Sequence, residues 1–145
     1  ISHRRSISAW IKYENLEDKM PQPLNLDIEE QPWQLPKDLV SKINAIICIN
    51  LIHVSTWKCC QALFEESKKH LYCKKTMIIY GPFKKNGNHT SKSNALFDQS
   101  LKQKNPSWGI RNIEDIYLLA EKSDFKVLST IEMPTNNTSI IFRKG

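Results

Sequence analysis

The chain has 145 residues, 40% of them hydrophobic and 25% charged, with a formal net charge of +6. That balance is ordinary for one soluble globular domain, long enough to bury a real core. No apolar run approaches the roughly 20 residues of a membrane-spanning helix, and no apolar stretch follows Ile1-Ser2-His3-Arg4-Arg5 to make a secretory leader.

Ile7, Trp10 and Ile11 recur at i, i+3, i+4, which predicts a short helix over residues 6–13. Met20-Pro21-Gln22-Pro23 breaks the pattern, because proline lacks an N–H and restricts its predecessor. Leu24 to Ile28 reads as a short strand ending near Asp27. Gln31-Pro32-Trp33-Gln34-Leu35-Pro36 is a loop, with a turn or short helix behind it around Lys37 to Ile43. Asn44 to Val54 is an apolar, mostly β-branched run that ends in a polar cluster. Its lack of alternation predicts a strand buried on both faces, as in a parallel sheet covered by helices. Ser55 or Thr56 can cap the next helix, which runs to about Leu71 with Trp57, Cys60, Phe64, Ser67 and Leu71 along one face.

Lys75 to Tyr80 is a second short buried strand, stopped by Gly81-Pro82, and Lys84 to Thr90 is a polar loop. A helix is predicted over 93–102, with Leu96, Phe97, Ser100 and Leu101 on one side, and a turn over Asn105 to Gly109. Asn112-Ile113-Glu114-Asp115 is a capping-box variant with Asp in the usual Glu place. It starts a helix to about Ser123, buried through Ile113, Ile116, Tyr117 and Ala120. Lys126 to Met133 and Thr138 to Arg143 are β-rich runs separated only by Pro134-Thr135-Asn136-Asn137, too short for a crossover, so they are antiparallel. The predicted fold is α/β, a single domain over 1–145: a mainly parallel sheet with an antiparallel C-terminal hairpin.

Ligands of open α/β sheets bind beyond the carboxyl ends of the strands, which makes Asn50 and His53 the first candidates for chemistry. His53 could serve as a general base or be a hydrogen-bonded histidine at a strand end. Asp98 and Arg111 could form a structural ion pair or contact a substrate. No second catalytic group stands beside His53, so no catalytic residue is assigned. There is no Gly-rich phosphate loop, no H-E-x-x-H and no nucleophile elbow. Cys48, Cys59, Cys60 and Cys73 form no C-x-x-C pair, so neither a metal nor a disulfide framework is expected. Reduced thiols fit a cytoplasmic setting, where the Asn88-His89-Thr90 and Asn136-Asn137-Thr138 sequons carry no glycan. Lys68-Lys69, Lys74-Lys75 and Lys84-Lys85 fall mostly at helix ends and loops, and read as solvated surface charge.

Several stretches in order carry a family resemblance. Asn50-Leu51-Ile52-His53-Val54 with Trp57, then Tyr80-Gly81-Pro82-Phe83, resembles the DUF938 family (methyltransferase-like protein 26 in animals). Ser93-Asn94-Ala95-Leu96-Phe97-Asp98, Asn105-Pro106-Ser107-Trp108-Gly109-Ile110-Arg111 and Met133-Pro134-Thr135-Asn136-Asn137 resemble it as well, and Leu26-Asp27 with Pro32-Trp33 fits its upstream segment. That family is similar to class I S-adenosylmethionine-dependent methyltransferases, whose Rossmann-like sheet also ends in a reversed strand. The resemblance implies Asp27 near the adenine, Asn50, Leu51 and Ile52 beneath the methionine moiety, and His53 and Trp57 lining the pocket. It implies Tyr80, Gly81, Pro82 and Phe83 on the acceptor side, with Asn94, Asp98, Trp108, Arg111, Asn136 and Asn137 shaping the acceptor site.

The first strand, Gly-rich loop and ribose-binding acid of such methyltransferases have no counterpart here and would precede Ile1. The expectation is therefore an N-terminally truncated domain, a fragment of a longer protein that binds S-adenosylmethionine when complete, and not active alone. If it is not a fragment, the Leu24–Ile28 and Asn44–Ile49 strands must pair directly, since an unpaired apolar edge is an association hazard. The acceptor is expected to be a small molecule rather than nucleic acid, without a membrane partner, and an exposed sheet edge would favour a homodimer. Two rival readings stand beside this one. One is a non-catalytic interaction protein on the same fold; the other is a small basic RNA-binding module stacking bases on Trp108, Tyr80 and Phe83.

Overall fold

The structure, a computed structural model, describes residues 2–145. Its helices are α1 (Ser2–Tyr13), α2 (Lys37–Val40), α3 (Trp57–His70), α4 (Lys92–Lys104) and α5 (Ile113–Lys122). The strands are β1 (Ala45–Ile49), β2 (Thr76–Gly81), β3 (Lys84–Lys85), β4 (Asn88–His89), β5 (Phe125–Met133) and β6 (Asn137–Lys144). Four of them form a sheet in the order β1-β2-β6-β5. β1 lies parallel to β2, with Ile47 opposite Ile78, and β6 runs against both β2 and β5. Only β6 is reversed, so the fold is the α/β sheet with a closing hairpin that the sequence pattern predicts.

The core lies on one face of this sheet, under α3 and α5. Met77 and Ile79 of β2 and Ile140 and Phe142 of β6 point into it and are buried. Phe64 of α3 meets Phe125 and Phe142 edge-on at 5.8 and 5.5 Å, a favoured aromatic geometry. Ile113, Ile116 and Ala120 of α5 complete the layer. Thr56 starts α3 by accepting the Cys59 N–H on its hydroxyl at 3.2 Å, which satisfies one of the orphan donors of the first turn. Lys68 and Lys69 lie in its last turn, cations at the negative end of the helix dipole.

Five details depart from the pattern-based expectation. β1 is buried on one face only: Ile47 and Ile49 are 64% and 63% exposed, because helices cover a single side of the sheet. Leu24 to Ile28 forms no strand. Its backbone is taken up locally, with Asp27 Oδ1 accepting the Glu29 N–H at 2.9 Å and the Ile28 carbonyl accepting the Trp33 indole N–H at 3.1 Å. Leu24 to Ile28 therefore does not pair with β1, and among the described residues no strand lies beyond β1.

The first helix begins four residues earlier than predicted and buries Ile11, while Ile7 and Trp10 stay exposed. Lys84 to Thr90 is not open loop but the β3–β4 hairpin, turned by Asn86 and Gly87. Both residues have positive φ (50° and 77°), the requirement of a type I′ turn. Finally, α4 buries Asn94, Asp98 and Leu101 rather than Leu96 and Phe97. The polar pair can be buried because its hydrogen bonds are satisfied. None of the described helices is long and apolar enough to cross a membrane.

Candidate functional site

The carboxyl ends of β1 and β2 are held together by a tight set of contacts. β1 ends at Asn50, a left-handed residue (φ 56°) whose N–H donates to the Tyr80 carbonyl at 2.9 Å. The chain then tightens into a single 3₁₀ turn over Leu51–His53. His53 is fully buried, with its ring edge-on to Phe83 at 5.4 Å. A Cβ on Gly81 would collide with His53 Nε2 and sit 3.0 Å from Asn50 Oδ1. Only glycine admits this close approach. Neither ring nitrogen of His53 has a hydrogen-bond partner. Burial, helped by the Arg111 charge and opposed by Asp98, lowers its pKa to about 4, so the ring is neutral at physiological pH.

Arg111 ties this turn to the 106–112 segment. Its Nε donates to the Ile52 carbonyl at 3.0 Å, and its Nη2 donates to the carbonyls of Ser55 at 2.5 Å and Ser107 at 3.0 Å. The guanidinium also lies 5.9 Å from the Trp57 ring centroid, within cation–π range. No carboxylate pairs with it. Among the described residues, Asp98 and Arg111 form no ion pair with each other. Asp98 Oδ1 instead accepts the Ile110 N–H at 2.7 Å, and Oδ2 takes Lys102, His89 and Lys84 at 2.8, 3.0 and 3.2 Å. Burial alone would raise its pKa, but these donors outweigh it and hold the carboxyl well below the usual carboxylate range.

Two clefts open beside these strand ends. The first, of about 600 Å³, is lined by Asp27, Glu29, Glu30, Leu51, Thr56 and Trp108, among others, and by no lysine or arginine. Its acidic loop is pinned onto α3 from both ends. Glu29 accepts the Thr56 hydroxyl, and buried Glu66 accepts the Trp33 N–H at 2.9 Å. Trp33 stacks on His70 at 5.8 Å. The second cleft, of about 640 Å³, lies between α3, α5 and the 106–112 segment, and its walls include Trp57, Lys84, Lys102, Trp108, Arg111 and Lys122. Trp108 borders both.

The residues singled out in the sequence are distributed unevenly over this architecture. Asp27 and Leu51 line the acidic cleft, while Trp57, Trp108 and Arg111 line the basic one. Ile52, Gly81, Pro82 and Phe83 are buried at the strand ends. Phe83 therefore offers no stacking platform, which removes a main support of the RNA-binding reading. Asn50 is exposed and Tyr80 half-buried. Asn94 is buried and donates through Nδ2 to the Asn136 carbonyl at 3.0 Å. Asn136 and Asn137 line a separate, smaller cleft of about 340 Å³. Residue patterns passed over Glu29 and Thr56 in the acidic cleft and Lys84, Lys102 and Lys122 in the basic one. The Asn86-Gly87 pair is a hairpin signal that places Lys84 in a strand rather than in a polar loop.

Comparison with known sequences and structures bears on this geometry. The family model described as "Protein of unknown function (DUF938)" matches residues 2–144. The chain belongs to the DUF938 family. Solved structures relate this DUF938 chain to methyltransferases in shape. An O-methyltransferase family 2 protein from Planctomyces limnophilus, in complex with apigenin, is 14% identical with a TM-score of 0.80 over 96% of the chain and 39% of that protein. The mitomycin 7-O-methyltransferase MmcR is 12% identical with a TM-score of 0.80, over 98% and 39%. Human N-acetylserotonin methyltransferase, in complex with SAM, is 16% identical with a TM-score of 0.65, over 82% and 32%. The DUF938 chain thus has the Rossmann-like methyltransferase fold and spans about two fifths or less of these proteins' length.

Proposed function

We propose that the protein is an S-adenosylmethionine-dependent methyltransferase acting on a small molecule, and that these 145 residues supply part of the cofactor's enclosure without being active alone. The observation that carries this reading is the acidic cleft at the carboxyl end of β1, within a methyltransferase fold. Three carboxylates, of which Glu29 has the exposed Lys58 3.9 Å away, and an indole form a wall suited to a sulfonium cation and to an amino group. Bound there, S-adenosylmethionine supplies a methyl group made electrophilic by its sulfonium.

In this reading Asp27 would accept a hydrogen bond from the adenine amino group. Leu51, the one of Asn50 to Ile52 that lines the cleft, would be its apolar wall and the floor beneath the methionine moiety. His53 and Phe83 keep that floor dry. Methyl transfer depends on alignment and desolvation more than on strong acid–base groups. The cleft lining contains no cation for the methionine carboxylate, which supports weak cofactor binding by this chain alone.

Isothermal calorimetry of the chain with S-adenosylmethionine tests the reading. Saturable binding is expected, weakened about tenfold by Asp27→Ala, the equivalent of one charged hydrogen bond. No detectable binding, or an affinity that Asp27→Ala leaves unchanged, would contradict it.

A further inference from the structure

The basic cleft has the opposite electrostatic character to the acidic one across a shared indole, and this contrast bears on the acceptor. Lys84, Lys102, Arg111 and Lys122 all line it, and Asp115 is the only acidic residue that does. Counting buried Asp98 beneath Lys84 and Lys102 still leaves four cations against two carboxylates. Arg111 is the central charge. It is half-buried, held rigid by three backbone carbonyls and without a carboxylate partner. A guanidinium so fixed presents its charge without first having to lose side-chain freedom. Trp57 and Trp108 supply flat apolar surface on the same cleft. Its volume of about 640 Å³ falls within the range of small-ligand sites.

We infer that this cleft receives the methyl acceptor, and that the acceptor is a small aromatic molecule bearing a carboxylate or phosphate. The inference rests on the methyltransferase reading above, since Trp108 is the wall common to both clefts. A cationic cofactor and an anionic acceptor would thereby be sorted to opposite sides of one side chain.

Tryptophan fluorescence of the intact chain tests this with three probes: 4-hydroxybenzoate, its uncharged amide, and phenyl phosphate. At least one of the two anions is expected to quench fluorescence saturably and to bind at least tenfold more tightly than the amide. Its affinity should fall as salt is raised from 0.05 to 0.5 M, as exposed charges are screened. Which anion binds tighter decides between carboxylate and phosphate. Lys122 is exposed and forms no ion pair among the described residues, so Lys122→Glu leaves the fold intact and should weaken the preferred anion about threefold or more. Arg111→Gln should weaken it further, with a thermal melt to establish that the variant is folded. Equal affinity for acid and amide, or indifference to Lys122→Glu, would overturn the inference. So would a single-stranded oligonucleotide that binds more tightly than both anions, which would assign the cleft to nucleic acid. Calorimetry with S-adenosylmethionine separates the two levels. Anion preference without cofactor binding removes the methyltransferase reading, while cofactor binding without anion preference removes only the acceptor class.

Discussion

His53 and Asp98 lie on facing sides of the same strand ends, and their titrations carry opposite histories. Asp98 is ionised and satisfied by four donors. With its folded pKa depressed, its stabilisation is present above the unfolded value near 3.9 and is lost only as pH falls further. His53 has no donor or acceptor partner and a folded pKa near 4, against an ordinary value of 6.5. The unfolded chain therefore takes up a proton on His53 between pH 6.5 and 4, while the folded chain does not. Stability is fully present above pH 6.5 and declines toward pH 4, by on the order of 3 kcal/mol for a group so deeply buried. His53→Gln should flatten that part of the stability–pH profile, read as urea midpoints from pH 4 to 7. An unchanged slope would mean that the histidine is solvated or protonated in the folded chain. The special status of this residue was half legible: its place after an apolar run marked it, but its orphaned ring depends on Gly81, which approaches from another strand.

Among the elements, those defined by local chemistry were the most legible. The Thr56 cap, the stop at Gly81-Pro82 and the antiparallel C-terminal hairpin all follow from residues close in sequence. Those that depend on neighbours were not. Nothing within Ala45–Ile49 says that helices cover one side of it alone, and nothing within Leu24–Ile28 says that Trp33 will take its carbonyl. α4 misled for a different reason: Leu96 and Phe97 face outward because Asn94 and Asp98 find better partners inside. The outer edge of β1, with Ile47 and Ile49 on its open face, is the element most prone to pairing. We propose it as the contact of a homodimer. Ile47→Lys is expected to shift the sedimentation of the chain toward monomer, and sedimentation that is the same for both would exclude this edge.

At the scale of the molecule, the sheet sets two clefts of contrasting charge at one end of the fold, bordered in common by Trp108. Their separation was invisible in the sequence, where Glu29, Glu30, Lys84, Lys102 and Lys122 are scattered charges on an ordinary surface. The lysines converge only because the hairpin, α4 and α5 meet at the 106–112 segment, and the acids converge because Glu66 and Thr56 anchor their loop. The family resemblance placed Asp27 and Leu51 on the cofactor side, and they share the acidic cleft. It also grouped Trp57 with the cofactor, whereas this residue lines the basic cleft. The most direct test of the account is an amide NMR titration of the chain with S-adenosylmethionine. Saturable shifts are expected, confined to residues 25–30, Leu51, Ser55 and Thr56, with Leu118 and Lys122 unmoved. Shifts centred on Leu118 and Lys122, or none at all at saturating cofactor, would contradict it.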